Sequence, residues 1–158
     1  RAGDAVDTGA NAEVVFVIGA DAMLVRRNSN VMLLQDGLRI ITGAVMSVFS
    51  TGAPRTIQTA TATIGIRGTA AYVEAEPERT YACTCYGEAV LEPRADPAAA
   101  QTVRTRHHDE PRYIMAAGAP QMVMPAPVIN HTDAELILLE SLVGRQPPFI
   151  GLGVKPYQ

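Results

Sequence analysis

Short runs of apolar residues, broken by Gly, Asn and Asp at intervals of eight to twelve residues, fill the first half of the chain. "AEVVFVIG" ends at Gly19, and "AMLVRR", "NVMLLQ" and "LRIITGAVMSVFS" follow, with an Asp36-Gly37 turn signal before the last. Runs of that length and spacing predict β-strands joined by tight turns. In "IQTATATIGIRGTAAYVEAE", Thr59, Thr61 and Thr63 alternate with Ala60, Ala62 and Ile64, a period of two. Gly65 and Gly68 sit inside this strand pattern and mark a bulge or bend. "TYACTCYGEAVL" predicts a further strand pair around Gly87. The expected fold is mainly β, a roll, sandwich or solenoid-like stack of short strands.

The pattern changes after residue 92. "EPRADPAAAQ" is a loop or boundary, and Pro111, Pro120, Pro125 and Pro127 limit any helix in the next segment. "HTDAELILLESLVGR" is the one helical signature, predicted over about 132–143. Thr132 and Glu135 form a capping box, and Leu136, Leu139 and Val143 share a face widened by Leu138 and Leu142. Gly144 suits the helix end, and Pro147-Pro148 stops continuation. We therefore expect a β domain over 1–92 and a C-terminal extension over 93–158 packed on it, ending in a Pro-rich tail over 147–158.

Composition narrows the function classes. Hydrophobic residues make up 47% and charged residues 18% of 158 residues, which is globular rather than disordered. The net charge of −3 and the lack of a basic cluster give nucleic-acid binding no support. No run of 18 apolar residues exists, so this sequence holds no transmembrane segment of helical type. The chain starts at Arg1, and the expectation is a processed start with a signal peptide removed. Nucleophile-elbow, Walker and dinucleotide motifs are absent, and Glu74, Glu76 and Glu78 read as a solvated strand edge, so the expectation is a protein that is not an enzyme.

The chemistry concentrates late in the chain. Cys83 and Cys85 are the only cysteines, and with His107, His108 and His131 they all fall between residues 83 and 131. Residues i and i+2 of a strand share a face, so both thiols point the same way, with Thr84 turned to the other side. Their Cα atoms would lie roughly 6.5–7 Å apart, at the limit a disulfide tolerates. Three readings stand: two thiolates on a metal, a strained Cys83–Cys85 disulfide, or plain buried thiols. A metal relaxes the separation the backbone must meet, and His107, His108 and His131 are the candidate further ligands. Being adjacent, His107 and His108 face opposite sides in an extended segment, and both face inward only in an irregular loop. Asp109 is the candidate carboxylate that orients a ligating imidazole. Such a set suits zinc, copper or iron, and Met122 and Met124, also two residues apart, lean towards copper.

Gly3, Asp4, Val6, Thr8, Gly19, Ser29, Arg67, Gly68, Thr69 and Gly87 follow the order of a known pattern: a "GD-x-V-x-T" opening, a Gly before a strand, a Ser in a middle strand, then "R-G-T" and a Gly turn. Over residues 1–92 the chain resembles a FecR-type domain, the periplasmic domain named from the iron-dicitrate sensor. "IGIRGT" is the most specific block; Ala60 stands where the family often has Pro. The later Cys and His residues resemble a stand-alone secreted subgroup with a Cys/His-containing extension. The resemblance implies an all-β fold and a periplasmic or cell-surface location. Arg67 is expected to fix a bend by bridging a carboxylate or turn carbonyls.

Two functions follow. One is an exported, non-enzymatic domain binding a metal ion or cofactor through the Cys-x-Cys/His set, for sensing, storage or electron transfer. The other is an accessory interaction subunit of an envelope assembly, or a homo-oligomer. In that case the Pro-rich 120–127 and the tail wrap a partner, and the cysteines act as a disulfide or metal staple.

Overall fold

The computed structural model describes residues 1–155. About half of them form one eleven-stranded sheet: β1 (Ala5–Asp7), β2 (Val14–Ile18), β3 (Asp21–Val25), β4 (Asn30–Leu34), β5 (Gly37–Val48), β6 (Arg55–Gln58), β7 (Ala62–Ala75), β8 (Arg79–Pro93), β9 (Gln101–Thr105), β10 (Arg112–Met115) and β11 (Val123–Pro125). A single α-helix, α1 (Asp133–Leu142), completes the chain's regular structure among the described residues, with one 3-10 turn at Pro97–Ala99. The fold is mainly β with a C-terminal helix, as the hydrophobic pattern predicts. Among the described residues no helix is long and apolar enough to cross a membrane.

The strands differ from the expected short runs in one respect. β5, β7 and β8 are 12, 14 and 15 residues long; β7 carries Gly65 and Gly68 inside it, as the bulge reading expects, whereas β8 runs on through Gly87, where the sequence predicts two strands. They change partner along their length. β5 pairs with β4 and, in parallel, with β6 over its first half, then with β3 and β7 over its second. β8 pairs with β7 throughout, with β10 near its start and with β9 near its end. Residues 93–155 thus add three strands to the same sheet and then cover it.

The β7–β8 ladder breaks register between Arg67 and Ala70. Gly68 has φ +55° and Gly87 opposite it φ +94°, conformations that side chains resist. A Cβ on Gly87 would lie 2.6 Å from the Thr69 side chain, and one on Gly68 would lie 2.8 Å from the methyl of Thr51. The "RGT" block is therefore a bulge that lets two backbones meet. Arg67 does not carry the bend: it is exposed, and Glu88, its cross-strand neighbour, pairs with Arg104.

Alternation along each strand feeds two apolar cores. One face collects Met23, Val25, Val45, Val73, Ala82 and their neighbours. The opposite face collects Leu24, Met46, Tyr72, Tyr81, Cys83 and Cys85, and α1 closes over it with Leu136 and Leu139. Thr132 caps α1 as predicted: its hydroxyl accepts from Glu135 N at 3.3 Å, and the Glu135 carboxylate accepts from Thr132 N at 2.9 Å. The buried stripe is narrower than the sequence implies, since Leu138 and Leu142 are each 47% exposed. Those two leucines are outward because the sheet meets the helix along a single row.

Replacing Gly87 by Ala should cost about 1–3 kcal/mol, from positive-φ strain and the Thr69 contact together. Thermal unfolding should show a midpoint lower by several degrees; an unchanged midpoint would mean that the bulge accepts a side chain.

Candidate metal centre

Cys83 and Cys85 lie on the α1 side of β8, next to Tyr81, because a period of two carries all three to one face. Both are fully buried and both are free thiols, not a disulfide. Thr84, on the opposite face, is buried as well. Its carbonyl accepts from the Thr105 hydroxyl at 2.5 Å, which ties β9 to the same stretch.

The loop between β9 and β10 brings the adjacent histidines. His108 N donates to the Cys85 carbonyl at 2.9 Å, which pins the loop to β8. His108 has φ +54°, so the loop is irregular and both imidazoles turn inward. Asp109 makes this turn rather than orienting an imidazole. Its carboxylate accepts from Arg106 N at 2.7 Å and His107 N at 3.4 Å.

His131 arrives from the segment before α1. Tyr81 holds that segment: its hydroxyl donates to the Pro127 carbonyl at 2.7 Å and accepts from Ile129 N at 3.2 Å. Tyr72 stacks on the His131 ring at 4.5 Å and 22°. The Tyr72 hydroxyl donates to Glu74 at 2.6 Å, and the same carboxylate takes the Asn130 side-chain amide at 2.8 Å. Glu74 is therefore an anchor of the loop and not part of a solvated edge.

The donor atoms converge. Cys83 Sγ lies 3.2 Å from His108 Nδ1, which lies 3.1 Å from His131 Nε2. One donor atom from each of Cys83, Cys85, His108 and His131 falls within 4.8 Å of the others, and all four residues are buried. With metal–sulfur bonds of about 2.3 Å and metal–nitrogen bonds of about 2.0–2.1 Å, the edges of a tetrahedron run about 3.3–3.8 Å. The Cys83–His108 and His108–His131 separations, 3.2 and 3.1 Å, fall just short of that range, and the others lie within 4.8 Å.

The outer nitrogens fix the tautomers. His131 Nδ1 lies 2.5 Å from the Ile129 carbonyl, which can only accept, so Nδ1 carries the hydrogen and Nε2 carries a lone pair. His108 Nε2 lies 2.9 Å from Asp133 Oδ1, so Nε2 donates and Nδ1 is the ligating nitrogen of the neutral ring. Asp133 does the work the sequence reading assigns to Asp109. Its other oxygen lies 2.7 Å from His107 Nε2, which places His107 behind the carboxylate rather than among the four donors. The signal for Asp133 is its position in "NHTDAEL", one residue after the helix cap and two after His131.

Charges in this pocket are mutually supporting. A hydrogen bond from Cys85 holds the Cys83 thiol well below its usual range against the cost of burial, with His108 and His131 adding to the effect. Burial pushes the Cys85 thiol up, and the neighbouring Cys83 sulfur adds to that. Burial opposes a charge on His108, but the Cys83 sulfur and the Asp133 carboxylate outweigh it and raise its pKa.

Met122 and Met124 are not brought in. They flank the buried Val123 on β11, and Met124 faces solvent. Phe149, in the tail, packs 4.7 Å from the His107 ring and 5.9 Å from Tyr86. The expected tail over 147–158 is thus partly part of this core; residues 156–158 lie outside the described range.

At the far edge of the site α1 is tied down by charge. Arg26 forms a two-pronged pair with Glu135, with one contact at 2.8 Å, and also donates to the Asn130 carbonyl at 2.9 Å. At the other end of the helix, Glu140 accepts from the Tyr86 hydroxyl at 2.5 Å and from Arg145 at 2.6 Å.

A scan against protein-family models found no match, and a search of curated proteins found none either. Two crystal structures of a candidate anti-sigma factor from Parabacteroides distasonis ATCC 8503, at 1.65 and 2.50 Å resolution, share the fold. Each has a TM-score of 0.63 and 8% sequence identity, over 78% of this chain. This chain spans 59% of that protein's length.

Burial opposes ionisation of Glu135, but the Arg26 guanidinium and the Thr132 cap outweigh it and lower its pKa below the ordinary 4.5. A depressed carboxyl pKa stabilises the fold above the unfolded value and loses that contribution as pH falls through the folded value. In urea unfolding, the stability gap between the natural chain and Glu135→Gln should be widest near neutral pH. It should close in acid, below pH 4.5. A gap that stays constant into acid would remove the ion pair as its source.

Proposed function

We propose that this chain is an exported, non-enzymatic FecR-like module that binds one zinc ion through Cys83, Cys85, His108 and His131. The observation that carries the reading is the convergence of four buried donor atoms within 4.8 Å, from side chains that are all good zinc ligands. Zinc accepts thiolate and imidazole in a tetrahedron and needs no redox partner. The FecR-like reading is supported by the "IGIRGT" motif and is compatible with the β fold shared with the candidate anti-sigma factor; export is what the resemblance implies.

Zinc is favoured over the other two metals on donor chemistry. Electron-transfer copper sites use His2Cys with a weak axial thioether, and Met122 and Met124 are not among the converging donors. Iron–sulfur clusters ordinarily take four thiolates, and this chain has two. Burial of all four ligand residues argues for a structural or sensing ion rather than one that admits substrate.

A second reading, compatible with the first, is a protein-interaction module. Ile137, Leu138, Leu142, Ile150 and Leu152 place large apolar side chains on the surface of the C-terminal region, and a partner protein or a second copy would cover them.

Elemental analysis of untreated protein should find about one zinc per chain, and Cys83→Ser should lose most of it. Asp133→Asn should weaken zinc affinity about 10–100-fold by releasing His108, while Asp109→Asn should leave it unchanged. Stoichiometric zinc retained by Cys83→Ser would take the thiol out of the site.

A further inference from the structure

We propose that the ion is a latch: zinc holds the C-terminal segment over one face of the sheet, and removing it uncovers that face while the rest of the sheet stays folded. This rests on the metal-binding reading above and adds to it what occupancy controls. The four donors come from three separate stretches of chain: residues 83–85 on β8, the loop at 108, and residue 131 before α1. A single ion on them joins the covering segment to the sheet at a point where no backbone ladder does so. Among the described residues β11 is the last strand, and α1 hangs from it through the 126–132 loop.

The two cores give the latch its selectivity. The first is built from strand residues and Phe49, ends at Ile114 and contains none of the donors. The second is where the donors sit, and its lid consists of Leu136, Leu139 and Phe149 laid on Leu24, Met46 and Tyr72 of the sheet. α1 is only 10 residues long, too short to persist alone in water, so it depends on this docking. Without the ion, two imidazole nitrogens that carry lone pairs in their neutral forms sit 3.1 Å apart beside a sulfur. Facing lone pairs beside a sulfur do not hold one another, whereas a divalent ion among them bonds to all four donors.

The step is a ligand exchange: zinc leaves with its charge to a chelator, the two thiolates take up the protons the chelator gives up, and the imidazoles stay neutral. No oxidant or reductant is involved.

Hydrogen exchange followed by mass spectrometry on the full chain tests the latch. Zinc-loaded protein is compared with protein stripped by a chelator, with zinc content measured on both samples. The expected result is loss of protection over residues 106–109 and 127–149 on stripping, with protection retained in β4 to β7. Binding of an apolar dye should rise in parallel as Leu24, Met46 and Tyr72 are uncovered. Unchanged protection over α1 in verified zinc-free protein would overturn the latch and leave the metal site standing: Arg26–Glu135 and the leucines would then suffice. Loss of protection across the whole sheet would also overturn it, by making zinc a requirement of the entire fold. A chain that takes up no zinc would defeat both readings, and the elemental measurement separates that case from the first two.

Discussion

The C-terminal half of this structure depends on one electrostatic constraint: two sulfurs and two imidazoles with fixed tautomers point at a common centre from which water is shut out. Ile129 and Asp133 commit the outer nitrogens of His131 and His108, and so decide which nitrogens face inward. A cluster of acceptors of this kind is costly to bury unless a positive charge sits among them. Either a proton shared with the Cys83 sulfur or a metal ion supplies it. The lowered Cys83 and raised His108 pKa values are the proton's version of the same demand.

The surroundings are arranged to hold that centre rather than to admit anything to it. Tyr72 and Tyr81 do not ligate; they fix the 127–131 segment by stacking and by bonds to its backbone. Glu74 and Arg26 converge on Asn130 from two sides, and Asn130 has φ +58°, the bend that turns His131 inward. His107 and Phe149 close the other side, behind Asp133. Precision at the centre is therefore set by aromatic side chains of the sheet and by loop backbones, which touch the ligating ring of His131 or the segment that carries it.

Much of this was legible in the sequence where it follows from periodicity. A period of two is enough to put Cys83 and Cys85 on one face, and the Thr132–Glu135 box is enough to start α1. What periodicity cannot give is how chain segments distant in sequence meet. Asp109 is next to the histidines along the chain but spends its carboxylate on its own turn, whereas Asp133, 25 residues from His108, reaches the ring. The inward turn of both adjacent imidazoles depends on a left-handed residue at His108, a conformation nothing in "TRHHDE" announces. Gly87 reads as the centre of a strand pair because glycine is rare inside strands, yet β8 continues through it and exchanges partners, from β10 to β9.

That exchange of partners is what joins fold to site. β8 carries both thiols and both cores: its even-numbered Ala82 faces one core while Tyr81, Cys83 and Cys85 face the other. Because β8 also pairs with β7 along its length and with β9 and β10 at its two ends, the thiols sit on the most constrained strand of the sheet. The imidazoles come from loops, which are the least constrained. A centre built half on a rigid strand and half on loops draws its geometry from the strand and its responsiveness from the loops, since local opening follows the segments with the fewest backbone ties. The division places any change at the centre where it is felt by α1 and the tail first, and by the sheet last.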